Sequence, residues 1–168
     1  MSAIFGLAGW SGSGKTTLLA RLLPALIVRG LSVSTLKHAH HAFDVDQPGK
    51  DSWLHRQAGA HEVMVSSANR WALMHEHRGA PESGLDTLVS HMSTVDLVIV
   101  EGFKTNPHPK LEVHRPSVDQ RLLCRDDFNI VAVASDSALA ALPVPLLALD
   151  DTVAIADFII AHCHLKAT

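Results

Sequence analysis

One short segment constrains the fold of this 168-residue chain more than any other feature: residues 9–16 read G-W-S-G-S-G-K-T. The segment matches the pattern G-x-x-x-x-G-K-[ST]. It follows an apolar run, Ala3–Ala8, and precedes a stretch with leucines at helical spacing that reaches Ile27 shortly before Gly30. A strand, a glycine loop and a helix in this order form a P-loop, so the sequence predicts an α/β protein that binds a phosphorylated ligand.

The residue types in this loop explain the predicted chemistry. Glycines let successive backbone N–H groups turn towards phosphate oxygens, where a Cβ atom would block the approach. Lys15 would contact the β- and γ-phosphates, the Thr16 hydroxyl would ligate Mg²⁺, and Thr17 would cap the helix or touch the α-phosphate. The candidate phosphate-binding residues are Gly9, Gly12, Ser13, Gly14, Lys15, Thr16 and Thr17.

Apolar runs with strand character alternate with helical patterns along the rest of the chain. Further strands are predicted at Leu31–Lys37, Glu62–Ser66, Arg70–His75, Val95–Val100, Leu111–Arg115, Ile130–Ala134 and Leu146–Leu149. Further helices are predicted at Asp51–Ala58 with Asp51 as the cap, at Leu85–Met92 and at Thr152–His162, and Pro24 predicts a kink in the first helix. We expect a P-loop NTPase-like, three-layer α/β fold over residues 1–168, a single nucleotide-binding domain with a mainly parallel sheet and some antiparallel additions.

Composition excludes several classes of protein. Lys and Arg total 14 against 17 Asp and Glu, a net charge of -3, so a broad basic surface for nucleic acid is not expected. No apolar run reaches the roughly 18–20 residues that cross a bilayer, so no membrane association is expected. The N-terminus lacks the features of a signal peptide, which favours a cytoplasmic protein. Two cysteines, Cys124 and Cys163, are too few for a disulfide framework.

Acidic residues follow the predicted strands at places where a P-loop site uses them. Glu101 ends the run Val95–Val100 and is a candidate Mg²⁺ ligand, the alternative being a cap on the turn with Gly102. In the loop after the second strand, Asp46 or Asp51 is a further candidate for Mg²⁺, with simple solvation as the equal alternative.

Two other groups of side chains have a less specific pattern. Asp136 follows Ile130–Ala134 and is a candidate for pairing with the N1–H and exocyclic amine of guanine, with an ordinary turn aspartate as the equal alternative. The histidines His38, His40 and His41 have no further cysteine or histidine at a spacing that completes a zinc site, so packing or substrate contact is favoured for them.

Several segments together resemble the MobB family of molybdopterin-guanine dinucleotide biosynthesis adapter proteins. They are G-W-S-G-S-G-K-T-T, K-H-A-H-H-A-F-D-V-D-Q-P-G-K-D-S, R-W-A-L-M, V-E-G-F-K and V-A-V-A-S-D, in an order that extends from Ile4 to about Ile160. The resemblance implies a homodimer that binds GTP with Mg²⁺, hydrolyses GTP slowly and assists the guanylyltransferase MobA. It also implies that Asp46, Lys50 and Asp51, together with Glu101 and Lys104, line the nucleotide cleft. Direct contact with molybdopterin remains open.

A small-molecule P-loop kinase is the alternative function. Such an enzyme needs a phosphate acceptor and an arginine-rich lid. Only Arg115, Arg121 and Arg125 cluster in a possible lid region, and Arg115 lies in a predicted strand. Since neither an arginine finger nor a water-positioning glutamine is identifiable, the sequence predicts at most a slow GTPase.

Overall fold

The computed structural model describes residues 1–39 and 43–167. They form two compact units, of which the first contains the described residues of 1–38 and 89–168 and the second those of 39–88. A single domain over the whole chain stays a prediction. Among the described residues, no helix has both the length and the apolar composition that crossing a membrane requires.

The strands and helices follow the predicted order. The strands are β1 (Ala3–Ala8), β2 (Val33–Lys37), β3 (Glu62–Ser66), β4 (Trp71–His75), β5 (Leu97–Glu101), β6 (Lys110–His114), β7 (Ile130–Ser135) and β8 (Leu146–Ala148). The helices are α1 (Lys15–Ile27), α2 (Asp51–Gln57), α3 (Leu85–Ser90) and α4 (Thr152–His162). Two short 3-10 helices span Pro116–Val118 and Leu123–Arg125.

Six strands form one sheet in the order β2-β5-β1-β6-β7-β8, and each neighbouring pair is parallel. The other two strands, β3 and β4, form a separate antiparallel sheet. The predicted α/β fold with a mainly parallel sheet and antiparallel additions is confirmed. Because the six strands are parallel, their carboxyl ends lie along one edge, where such sheets bind ligands.

The helical leucine spacing fixes how α1 packs. Leu18, Leu22 and Leu26 recur every fourth residue, so they share one face of the helix, and all three are buried. They join Ile155 and Ile159 of α4 in the main hydrophobic core beside the sheet. Pro24 lies inside α1, which continues to Ile27, and the predicted kink stays a prediction.

Several predicted boundaries differ from those in the structure by one or two residues. Three of them are at β2, α2 and β6. β2 begins at Val33, because the N–H of Leu31 still donates to the Leu26 carbonyl in the exit from α1. Asp51 is not the cap of α2: Lys50 occupies that position, and Asp51 lies in the first turn, where its charge favours the helix N-terminus. β6 ends at His114, so Arg115 follows the strand.

A buried histidine lies just before β6. His108 is 7% exposed, and neither ring nitrogen has a hydrogen-bond partner among the described residues. Burial, reinforced by the neighbouring Lys110 ammonium and opposed by the Asp127 carboxylate, lowers the pKa of His108 from 6.5 to about 4. The folded protein therefore holds this imidazole neutral at pH values where the unfolded chain protonates it.

We expect this histidine to make the protein less stable in acid. Above pH 6.5 the imidazole is neutral in both the folded and the unfolded state, and it costs no stability. As the pH falls from 6.5 to 4, the unfolded state binds a proton that the folded state does not bind, so the free energy of unfolding decreases. The shift corresponds to a loss on the order of 3 kcal/mol. Unfolding titrations should show a smaller loss between pH 6.5 and 4 in His108→Leu than in the wild type, whereas exposed His91→Leu should follow the wild type. Parallel curves for wild type and His108→Leu would contradict this assignment.

Candidate phosphate-binding site

The predicted site residues of the first unit lie at the carboxyl ends of neighbouring parallel strands. The glycine loop follows β1, and Glu101, the last residue of β5, lies beside Leu7 of β1 in the sheet register. On the other side of β1, Arg115 follows β6, and Asp136 follows β7. The strand order thus places the loop between an acidic side chain and an arginine.

The glycines of the loop have backbone angles that other residues rarely adopt. Gly9, Gly12 and Gly14 have φ values of 141°, 81° and 99°. Gly14 is the left-handed N-cap of α1, so the loop leads directly into the positive end of that helix. A Cβ atom at Gly9 would lie 2.4 Å from the Val113 carbonyl oxygen, whereas one at Gly12 would meet nothing within 4 Å. Gly9 is therefore needed for close packing against β6, whereas Gly12 is favoured only by its positive φ.

Ser13 provides a test of whether this loop suits a phosphate. Its backbone N–H donates to the Trp10 carbonyl, which closes a tight turn. Its Oγ atom is buried and has no hydrogen-bond partner among the described residues. Buried hydroxyls normally have partners. The Ser13 Oγ atom lies on the inner side of the loop, because a Cβ atom at Gly9 that met the Val113 carbonyl of β6 would also lie 2.8 Å from it. The donors left for a phosphate are the backbone N–H groups at the start of α1.

Lys15 lies folded over the loop. Its Nζ atom donates to the carbonyl oxygens of Gly9 and Trp10, both at 2.9 Å. Burial lowers the pKa of Lys15, the Glu101 carboxylate opposes this shift, and Lys104 and Lys37 add to it. The ammonium thus lies in a half-buried pocket among other charges, where an additional anion would stabilise its charged form.

Glu101 and Lys104 lie close to the same loop. The Glu101 carboxylate is only 12% exposed, and Lys37 Nζ lies 3.9 Å from its Oε1 atom. Lys104 Nζ lies 5.4 Å from the ring centroid of Trp10, the second residue of the loop. Thr16 and Thr17 are exposed in the first turn of α1. The structure therefore brings together the predicted phosphate-binding residues of the first unit, one carboxylate and two further lysines.

A carboxylate oxygen and a threonine hydroxyl are oxygen ligands of the kind that Mg²⁺ prefers. In residues 1–39 and 43–167, no three His, Cys, Asp or Glu side chains form a group that could hold a metal ion alone. Mg²⁺ binding through Glu101 and Thr16 would therefore depend on phosphate oxygens and water for the remaining ligands. This dependence fits the way in which Mg²⁺ usually binds to nucleotide sites.

Arg115 lies in the candidate site, although the sequence analysis considered it only for a strand or a lid. Its Nε atom donates to the Ser13 carbonyl at 3.1 Å, and its Nη1 atom donates to Asp136 Oδ2 at 2.8 Å. One arginine thus connects the glycine loop to the predicted base-reading aspartate. The sequence indicated only that Arg115 lies near the end of a predicted strand. It could not indicate the contact with the loop, because Ser13 and Arg115 are 102 positions apart.

A cavity of about 520 Å³ lies beside Asp136. Its lining residues are Arg21, Arg115, Ser135, Asp136, Ser137, Ala138 and the segment from Leu146 to Asp150. The size is within the usual range of small-molecule sites. The lining combines charged and hydroxyl side chains with aliphatic side chains of β8, which suits a flat heterocycle with hydrogen-bonding edges.

Other predicted residues belong to the second unit. Asp46 accepts hydrogen bonds from Ser52 Oγ and Arg56 Nε, and the Ser52 hydroxyl is the main cause of the lowered pKa of Asp46. Arg56 also pairs with Asp44 and Glu76. Lys50 precedes α2. The roles of Asp46 and Lys50 in nucleotide binding stay predictions.

The three histidines near residue 40 are described only in part. His38 stacks obliquely on Phe103, with ring centroids 4.9 Å apart, and its N–H donates to the Glu101 carbonyl. This contact agrees with the packing role that the sequence favoured for His38. His40 and His41 lie outside the described residues.

A parallel sheet whose first strand enters a glycine-rich loop and then a helix defines the chain as an α/β protein with a mostly parallel sheet and a glycine-rich loop at the start of α1. Comparison with known proteins identifies the family. The family model described as "Molybdopterin guanine dinucleotide synthesis protein B", MobB, matches residues 4–136. The chain belongs to the MobB family, which confirms the resemblance seen in the sequence.

Curated relatives and solved structures agree with this family. The chain is 44% identical over 165 residues to the molybdopterin-guanine dinucleotide biosynthesis adapter protein of Escherichia coli strain K12, covering 95% of this chain and 93% of that protein. It is 43% identical to the protein of the same name from Haemophilus influenzae, covering 96% and 89%. The crystal structure of Bacillus subtilis MobB superimposes with a TM-score of 0.72 at 26% identity, covering 99% of both chains.

Proposed function

We propose that the chain binds GTP with Mg²⁺ at the glycine loop and acts as an adapter for the guanylyltransferase MobA in molybdopterin-guanine dinucleotide synthesis. The observation that carries the proposal is the loop itself, in which the Lys15 ammonium and glycines with positive φ lie at the N-terminus of α1. Relatives that are 43–44% identical over nearly the whole chain carry the adapter name.

In this proposal the triphosphate lies along the loop. Backbone N–H groups of the loop and of the first turn of α1 bind the phosphates, and Lys15 moves from the carbonyls of Gly9 and Trp10 to the β- and γ-phosphate oxygens. Mg²⁺ neutralises phosphate charge when bound, with Thr16 and Glu101 as protein ligands. Lys104 adds a positive charge beside the loop.

The base belongs in the cavity beside Asp136. A carboxylate accepts hydrogen bonds from both N1–H and the exocyclic amine of guanine, and adenine offers no matching pair of donors. Asp136 therefore selects GTP over ATP.

Hydrolysis is proposed to be slow and incidental to the adapter role. No glutamine in the described part of the site is identified as positioning the attacking water. The proposal includes a cytoplasmic homodimer, and molybdopterin itself is a possible further ligand. MobA is the partner that the test below addresses.

The test of this function is capture of MobA by the immobilised full-length chain. Under the proposal, more MobA is retained in buffer with GTP and Mg²⁺ than in the same buffer with ATP or without nucleotide. Because the nucleotide acts through the loop, Lys15→Ala should lower the GTP-dependent fraction to the nucleotide-free level. Equal retention of MobA with and without GTP would contradict a GTP-dependent adapter.

A further inference from the structure

Both carboxylate oxygens of Asp136 are already engaged in the structure. Oδ2 accepts a hydrogen bond from Arg115 Nη1 at 2.8 Å, and Oδ1 accepts one from Ser137 Oγ at 3.1 Å. Recognition of guanine requires both oxygens, one for N1–H and one for the exocyclic amine. A guanine that lines up with both oxygens therefore competes with Ser137 for Oδ1 and with Arg115 for Oδ2, and it can bind by exchange with the arginine.

The Arg115–Asp136 ion pair is suited to such an exchange. The two side chains are 37% and 38% exposed, and ion pairs this accessible contribute little to stability. Arg115 keeps a second hydrogen bond when the pair opens, because Nε donates to the Ser13 carbonyl of the glycine loop. The displaced guanidinium therefore stays at the loop.

Arg115 then has donors next to the phosphate site. Its guanidinium already lies 3.2 Å from the position that a Cβ atom on Gly14 would occupy. Loss of Asp136 frees the Nη1 donors, and guanidinium N–H groups form strong, often bidentate hydrogen bonds to phosphate. The Arg115 side chain itself reaches both Asp136 and the glycine loop.

We propose that Arg115 couples recognition of the base to binding of the phosphates of a guanine nucleoside triphosphate. Guanine takes Asp136 from Arg115, and the released guanidinium binds a phosphate oxygen at the loop. Guanine and phosphate thereby strengthen each other's binding. The proposal depends on the proposed GTP site and adds a residue and a mechanism to it.

The test separates the nucleotide into two fragments, guanosine and pyrophosphate. Calorimetry in Mg²⁺ buffer measures pyrophosphate affinity with and without saturating guanosine. In the wild type, guanosine should increase this affinity about fivefold or more, the lower end of usual coupling between sites. Adenosine should not change it, because adenine cannot take both oxygens of Asp136.

The variant Arg115→Gln removes the proposed coupling. Guanosine should then leave pyrophosphate affinity unchanged, and guanosine alone should bind more tightly than to the wild type, because Asp136 is no longer occupied. A residue that only stabilised the loop would weaken binding and would not improve it. The control is Arg29→Gln, since Arg29 forms a 2.8 Å pair with Asp157 between α1 and α4, and it should retain wild-type coupling.

The outcomes distinguish this inference from the proposed function. If the wild type binds GTP but guanosine does not change pyrophosphate affinity, or if Arg115→Gln keeps the coupling, the role of Arg115 is wrong and the GTP site stands. If the wild type binds no GTP, both proposals fail. Should Arg115→Gln not fold, Arg115→Lys serves instead, because its compact ammonium lacks the planar fork that donates to Ser13 from Nε and to Asp136 from Nη1, and it should also lose the coupling.

Discussion

Replacement of Lys15 by alanine should reduce the affinity for GTP roughly a hundredfold or more, since charged hydrogen bonds contribute about 1.5–3 kcal/mol each and this ammonium would make at least two. The geometry explains the large effect. Nζ donates to two loop carbonyls at 2.9 Å, so the ammonium lies at the loop where the proposed phosphates bind. Isothermal titration calorimetry with GTP and Mg²⁺ measures the loss.

The matched control for this variant is Lys166→Ala. Lys166 is an exposed lysine near the C-terminus, so its removal changes the net charge equally without touching the loop. It should bind GTP as the wild type does. Thermal melting of both variants checks that the fold is kept. Unchanged GTP affinity in Lys15→Ala would remove the glycine loop from the proposed site.

The glycine loop and its flanking elements could be predicted because their signals are local. A strand, a loop and a helix within residues 3–27 are encoded by apolar spacing and glycines that lie next to one another. The same holds for Glu101, which ends an apolar run and lies beside β1 once the strands are parallel. Contacts of this kind follow from sheet order alone.

The contacts of Arg115 could not be predicted in this way. Its partners, Ser13 and Asp136, lie 102 and 21 positions away in the sequence, so only the folded chain brings them together. The sequence assigned Arg115 to a strand or a lid. The structure places Arg115 directly after β6, and its side chain reaches both partners.

β6 also shows why the polarity of single residues is a poor guide to burial. Lys110 and Glu112 lie in this interior strand with 1% and 0% of their surface exposed. Lys110 Nζ donates to the Asn106 carbonyl and to Asp127, and the Glu112 carboxylate accepts the N–H groups of Leu123 and Cys124. Buried charges are tolerated when they are paired in this way, and the partners come from loops that the strand pattern does not reveal.

Replacement of Gly9 by alanine should destabilise the fold by about 3 kcal/mol or more, because two costs of about 1–3 kcal/mol each act together. The first is conformational, since a φ of 141° is essentially restricted to glycine. The second is steric, since the new Cβ atom would lie 2.4 Å from the Val113 carbonyl oxygen and 2.8 Å from Ser13 Oγ. The carbonyl belongs to β6 and cannot move without disturbing the sheet. Urea denaturation measures the change in the free energy of unfolding.

Gly12→Ala is the matched variant, because it places the same methyl group in the same loop. Gly12 has a φ of 81°, and nothing lies within 4 Å of its Cβ position. Only the left-handed strain of about 1–2 kcal/mol applies there. Gly9→Ala should therefore be clearly less stable than Gly12→Ala. Equal destabilisation by the two variants would mean that the contact with β6 does not hold the loop, and that backbone strain alone makes glycine necessary at both positions.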